Sequence, residues 1–126
     1  MDALKTVKAF VERINAHDVN GLTALMTETH RFIDSLGNVI SGQQKLHAAW
    51  VGYFGLIPDY RITAAEWFSA GTVVVLLGKA GSSYRGVRWE TPLACRAQVR
   101  GGQVAEWRVY ADNETLRQLM NAKSGD

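Results

Sequence analysis

Residues Asn15 to Trp50, NAHDVNGLTALMTETHRFIDSLGNVISGQQKLHAAW, place one acid, Asp34, inside an apolar strand just ahead of a capped helix. A carboxylate in that setting must be partnered, neutralised or used, because removing an unpaired polar group from water costs on the order of 2 to 7 kcal/mol. Asp34 is therefore the first candidate for proton chemistry. The plainer alternative is that Asp34 lies on the wet face of its strand, or caps the turn at Gly37-Asn38 as short acids commonly do.

On the N-terminal side, Leu4, Val7, Val11 and Ile14 recur at helical spacing with Ala3 and Phe10 beside them. That pattern predicts an amphipathic helix to about Ala16. Asp18 reads as the N-cap of a shorter helix carrying Leu22, Leu25 and Met26, weakened by Gly21. A short strand is expected around Arg31 to Leu36. Ser41 and Gln44 have capping-box spacing, and Leu46, Ala49, Trp50, Tyr53 and Phe54 mark one face of a third helix that Pro58 ends.

After Pro58 the period becomes twofold. Strands are expected over Tyr60 to Phe68, Thr72 to Leu77, Val87 to Arg100 and Gln103 to Tyr110. They are separated by Ala70-Gly71, by a Gly/Ser-rich segment from Gly78 to Gly86 that reads as a hairpin loop, and by Gly101-Gly102. Such short connections imply an antiparallel sheet. Asp112 is placed to cap a final helix through Leu116, Leu119 and Met120.

A chain of 126 residues that is 47% hydrophobic is the size of one domain, spanning residues 1–126, with a real core. Its net charge of +2 is dispersed without a run of like charges, so no nucleic-acid partner is expected. Cys95 is the single cysteine, which excludes an internal disulfide and a cysteine-based metal site and fits a reducing compartment. The start MDALKTVKAF has no signal-peptide core, and no segment approaches the ~18 unbroken apolar residues of a membrane span. A soluble cytoplasmic protein without membrane attachment is the expectation. His17, His30 and His47 show no ligand spacing with nearby acids, so no metal is expected either.

The pattern NA-x-D-x-x-G-x-x-A-L at Asn15 to Leu25 is followed by the acid Asp34, by Ser41-Gly42, by a helix with Trp50, and by the late strands PLA...WRVYAD. Together they resemble the nuclear transport factor 2-like superfamily, in its SnoaL-like and ketosteroid isomerase-like branch. The resemblance covers nearly the whole chain. It implies an α+β cone-shaped fold, a curved antiparallel sheet with helices packed on its concave face. In the ketosteroid isomerases an aspartate at the place of Asp34 is the proton-shuttling base, and a tyrosine and a protonated aspartate form the oxyanion hole. Here those two positions are Phe10 and Ala94, so neither donor is present. Steroid isomerisation by that route is not expected, since one lost donor costs about 3 to 4 kcal/mol in the transition state. The limonene epoxide hydrolase branch resembles Trp107-Arg108, but its following acid is Val109 here and VVVLLGK holds no acid-and-arginine pair.

If Gly101-Gly102 forms a tight hairpin, Arg100 opposes Gln103, Gln98 opposes Ala105, Arg96 opposes Trp107 and Ala94 opposes Val109. By resemblance this face lines the interior. The other face, with Leu93, Cys95, Val99, Val104 and Tyr110, is the more apolar one, and simple patterning sends it to the core. Covering that outer face with a second subunit reconciles the two, and a homodimer is expected.

The resulting picture is an apolar pocket with Asp34 on one wall and Arg96 near Trp107 on another, lined by Phe10, Phe32, Trp50 and Tyr53, with His30 at its mouth. Asp34 and Arg96 are the catalytic candidates; Phe10, His30, Phe32, Trp50, Tyr53, Ala94, Trp107 and Val109 are the substrate-binding ones. Arg96 could instead form a structural salt bridge with Asp34. Two functions follow. One is a cofactor-independent enzyme in which Asp34 takes a proton next to a carbonyl of an apolar substrate and Arg96 holds the enolate. The other is a hydrophobic-ligand-binding or dimerisation module that has the cone without the chemistry.

Overall fold

The computed structural model describes residues 2–112, 114, 118, 119 and 121. Helix α1 (Ala3–Asn15) starts at Asp2, whose carboxylate accepts from the Lys5 amide at 2.8 Å, and it buries Val7, Phe10, Val11 and Ile14. Helix α2 (Val19–Ala24) is capped as expected, with the Gly21 amide donating to Asp18 at 2.9 Å. Met26 is not part of it but opens strand β1 (Met26–Ile33), earlier than the apolar pattern suggested. A short strand, β2 (Val39–Ser41), turns back onto β1 and pairs Ile40 with Phe32. Ser41 is thereby used in the sheet, and the capping box fails: helix α3 (Gln43–Leu56) starts from Gly42 at φ 102°, with no side-chain cap.

Strands β3 (Arg61–Ala70), β4 (Val73–Tyr84), β5 (Val87–Arg100) and β6 (Gln103–Ala111) complete a six-stranded sheet of order β2-β1-β6-β5-β4-β3. The pairing β1 with β6 is parallel, so the expected antiparallel sheet is a mixed one. Tight hairpins force reversal between neighbours, whereas β1 and β6 are linked only through α3 and the strands between, which leaves their relative direction free. The sheet is curved and open, as in a cone, and α1 packs across β3 to β6 on one face.

The segment from Gly78 to Gly86 is not a loop. It is strand β4 paired residue by residue with β5 as far as Tyr84 opposite Val87, and the turn is only Arg85-Gly86, at φ 52° and 81°. Two such left-handed residues make the two-residue turn that matches strand twist. Gly78 is there for a different reason. Opposite it β3 carries a bulge at Ala65, and a Cβ on Gly78 would meet the Thr63 carbonyl oxygen at 2.0 Å. A glycine inside a strand marks close backbone approach as well as it marks a turn.

A second bulge decides which side chains face inward. The hairpin at Gly101-Gly102 forms as expected, with Arg100 opposite Gln103 and Val99 opposite Val104, but Gln98 then opposes Glu106 and Ala105 is left unpaired. One extra residue reverses the facing of everything beyond it. Trp107 opposes Ala97, Val109 opposes Cys95 and Ala111 opposes Leu93 on the helix-covered face, where Leu93, Cys95, Ala97 and Trp107 are buried. Ala94 opposes Tyr110 and Arg96 opposes Arg108 on the outer face. The expected pairing of Arg96 with Trp107 is therefore corrected, and simple apolar patterning places strand β5 properly.

At the C-terminal end, the Glu114 amide donates to the Asp112 carboxylate at 3.0 Å, as in an N-cap, and Leu119 packs against the core. Leu116 and Met120 lie outside the described residues.

Candidate functional site

The motif NAHD fixes one side of the site through side chains that act as backbone partners. Asn15 pairs with Ile62 twice, donating to its carbonyl at 2.9 Å and accepting from its amide at 2.8 Å. His17 donates through Nε2 to the Tyr60 carbonyl at 2.8 Å and stacks on Phe54 at 4.3 Å between ring centroids. Residues 60 to 62 are thus tied to the end of α1, and Tyr60 is directed inward with the same parity as buried Ile62.

Between α3 and the sheet lies a cavity of about 300 Å³. Buried Leu46, Trp50, Tyr60, Ala80, Leu93 and Trp107 form its floor; the partly exposed Phe32, Asp34, Ser35, Ile40, Tyr53, Val109 and Ala111 form its walls and mouth. The aromatic rings meet edge to face around it: Phe32 with Trp50 at 6.0 Å, Trp50 with Tyr53 at 6.1 Å, and Tyr53 with Tyr60 at 5.1 Å. Burial pushes the Tyr53 phenol up to about 12, and the Tyr60 phenol well above its usual range.

Asp34 stands at the mouth, one residue beyond β1. Its Oδ1 accepts from the Leu36 and Asn38 amides, both at 2.9 Å, and its Oδ2 accepts from Asn38 Nδ2 at 3.1 Å. The acid thus caps the turn and lines the cavity at once. A carboxylate has about four acceptor sites, so Oδ2 retains one. No ion pair reaches Asp34 among the described residues.

Arg96 is absent from this site. It lies on the outer face and pairs with Glu106 at 3.4 Å, which also meets Arg31 at 3.4 Å, so neither a wall position nor an Asp34 salt bridge survives. Ala94 is on the outer face with it; the inward side chains on that stretch are Leu93 and Cys95, neither of them an acid. Cys95 is inside rather than outside, and burial pushes its thiol far up, which leaves it inert as a nucleophile. Phe10 is fully buried but sits behind the cavity, 5.0 Å from the Trp107 ring and 5.8 Å from His30. His30 is not at the mouth either. It is fully buried, donating through Nδ1 to the Val104 carbonyl at 2.6 Å.

Phe32, Trp50, Tyr53, Trp107 and Val109 do line the cavity, while sequence reading missed Tyr60, Ile40 and Leu46. The signal for Tyr60 was its parity with Ile62 at the start of a strand that the apolar pattern already located. Among the described residues no group of three histidines, cysteines or acids is placed to hold a metal ion.

Solved structures share this architecture at low identity. A protein described as a SnoaL-like polyketide cyclase from Shewanella denitrificans superposes with a TM-score of 0.84 at 13% identity, covering 95% of this chain and 97% of that one. An LEH-like epoxide hydrolase of M. tuberculosis gives 0.81 at 16%, covering 89% and 79%. A protein with a ketosteroid isomerase-like fold from Catenulispora acidiphila, solved in complex with trimethylamine, gives 0.76 at 18%, covering 83% of each chain. No curated protein matches the sequence. At these identities the likeness establishes the fold. The family rests on the sequence itself: residues 7–107, which run from the buried face of α1 through most of the cavity wall to Trp107 on its floor, match the SnoaL-like domain, and the chain belongs to that family.

Proposed function

We propose that this chain takes one flat, hydrophobic small molecule into the cavity and that Asp34 moves a proton next to the molecule's carbonyl group, without a cofactor. The observation that carries this is the placement of a carboxylate, the only one among the described lining residues, at the mouth of an aromatic-walled cavity of about 300 Å³, a volume at the lower end of ordinary ligand sites. The Asp34 carboxylate, through the free acceptor site on Oδ2, would take the proton from the adjacent carbon and become the neutral acid, leaving an enol or enolate, and would then return the proton. The turn amides keep the carboxylate aimed throughout. A binding role without chemistry is the second reading, favoured by the three hydrogen bonds that commit the carboxylate to the turn.

The same proposal includes a homodimer. Leu93, Val99 and Val104 are buried inside and cannot form its interface, but the outer face presents another apolar group: Phe68, Leu77 and Tyr110 are 53%, 37% and 50% exposed, with Val75 and Ala94 between them in the ladders. A contiguous patch of that kind is what association covers. No helix among the described residues is long and apolar enough to cross a membrane, and a cytoplasmic location accords with the unpaired thiol of Cys95.

The test is proton exchange on a planar ketone in deuterated water. Acetonaphthone bound by the wild type should exchange its methyl protons faster than free ketone does, and Asp34→Asn should remove the acceleration while leaving binding. Binding without any acceleration by the wild type would replace the enzymatic reading with the module.

A further inference from the structure

Tyr53 and Tyr60 line the cavity, yet neither phenol hydroxyl has a hydrogen-bond partner among the described residues. Tyr60 is 9% exposed and Tyr53 partly exposed, and their rings meet edge to face along the cavity wall. Buried hydroxyls are ordinarily satisfied, and tyrosine tucked into an apolar setting finds a partner for its O–H. Of the polar side chains near these two, His17 is committed to the Tyr60 carbonyl and Asp59 to Ser82 and Ser83, while Trp89 Nε1, whose ring lies 6.4 Å from that of Tyr60, is buried without a partner among the described residues and can only donate. A molecule that occupies the cavity can supply the acceptor.

We propose that the Tyr53 and Tyr60 hydroxyls are the donors that hold the carbonyl oxygen of a flat, uncharged ligand such as a ketone, enone or quinone. This rests on the cavity reading above and supplies the recognition that Arg96, on the opposite face, cannot. The choice of ligand class follows from charge. Among the described residues no lysine, arginine or histidine lines the cavity and the one acid is Asp34, so a carboxylate or phosphate there would lie beside a like charge with no counter-ion from them. A neutral carbonyl needs only donors. Burial keeps both phenols protonated across the physiological range, so they remain donors. Two donors on an apolar wall also bind oxygen more strongly as negative charge grows on it, which suits the proton removal proposed for Asp34.

Three naphthalenes of similar shape separate the outcomes: acetonaphthone, ethylnaphthalene, which lacks the oxygen, and the anion naphthoate. Binding is read by tryptophan fluorescence, and the bound ketone by its carbonyl stretch in the infrared. Wild type should prefer acetonaphthone over ethylnaphthalene and reject naphthoate, with the carbonyl stretch shifted to lower frequency. Tyr60→Phe and Tyr53→Phe should each weaken the ketone roughly three- to tenfold and move the stretch back, leaving ethylnaphthalene unchanged. Equal binding of ketone and hydrocarbon by wild type, or a stretch unmoved by either substitution, overturns the donor assignment while the cavity reading stands. If neither naphthalene binds, the cavity reading falls and this assignment with it.

Discussion

The His30 imidazole donates to the Val104 carbonyl at 2.6 Å, one residue before Ala105, the position that the β5–β6 ladder leaves unpaired. Between β1 and β6 the register also jumps here, from Met26 opposite Val104 to Arg31 opposite Glu106. The side chain thus supplies a hydrogen bond that the interrupted ladder cannot. Because a carbonyl only accepts, Nδ1 carries the proton, and the buried Nε2 has no partner among the described residues.

That arrangement makes stability depend on pH. Burial holds the His30 pKa below its usual value of 6.5, outweighing the Val104 hydrogen bond and the Glu106 charge, both of which act upward. The unfolded chain therefore binds this proton more readily than the folded one. The stabilisation is present above the unfolded value and is lost as the pH falls through it. Melting temperature should drop between about pH 7 and pH 5, and His30→Gln, which can still donate but cannot be protonated, should show a shallower drop. Equal slopes in the two proteins would remove His30 as the cause.

Replacing the two residues that the bulge separates should have very different costs. Trp107→Ala empties the floor of the cavity and should cost about 3 to 5 kcal/mol. Arg96→Ala removes a half-exposed ion pair and should cost under about 1 kcal/mol, with ketone binding intact. Chemical denaturation of both variants checks the contrast, and loss of binding in Arg96→Ala would contradict the observed register.

The glycines give an opposed pair. Gly78→Ala drives a methyl into the Thr63 carbonyl and should destabilise, whereas Gly55→Ala, in α3 with open space around it, should stabilise by up to about 1 kcal/mol. Melting temperatures that move in the same direction for both would refute this account of the β3 bulge.

Association through the outer sheet face should be abolished by Leu77→Glu, because it sets a charge in the middle of the patch formed with Phe68, Ala94 and Tyr110. Sedimentation at micromolar concentration should give a dimer for wild type and a monomer for the variant. A wild-type monomer rules the interface out.

The first three helices, the caps at Asp18 and Asp112, and the turns at Gly71 and Gly101-Gly102 were legible because each rests on short-range rules of spacing and turn chemistry. What was not legible came from single-residue insertions. Nothing in QVAEWRVY announces that Ala105 drops out of the ladder, yet that residue alone carries Arg96 and Ala94 away from the cavity and brings Cys95 and Leu93 toward it. Gly78 misled in the same way, since a turn and a close strand crossing call for the same residue. Asp34 lies in the turn after β1 rather than inside a strand as expected; its capping role was one of the readings open from sequence, but its simultaneous place at the mouth depends on how the β1–β2 turn sits beside α3.

The pair of hydrogen bonds between Asn15 and the Ile62 backbone bears on the behaviour of the chain in a crowded solution. Strand β3 ends the sheet, and an outermost strand offers its free amides and carbonyls to any other extended chain. At Ile62 both groups are already taken by one side-chain amide, so the start of this rim is closed from within, by the same motif residue that anchors the site. Edge protection at Ile62 and the anchoring of Tyr60 thus rest on Asn15 and His17 together, and a substitution such as Asn15→Leu would open the Ile62 amide and carbonyl to another extended chain while His17 still holds Tyr60.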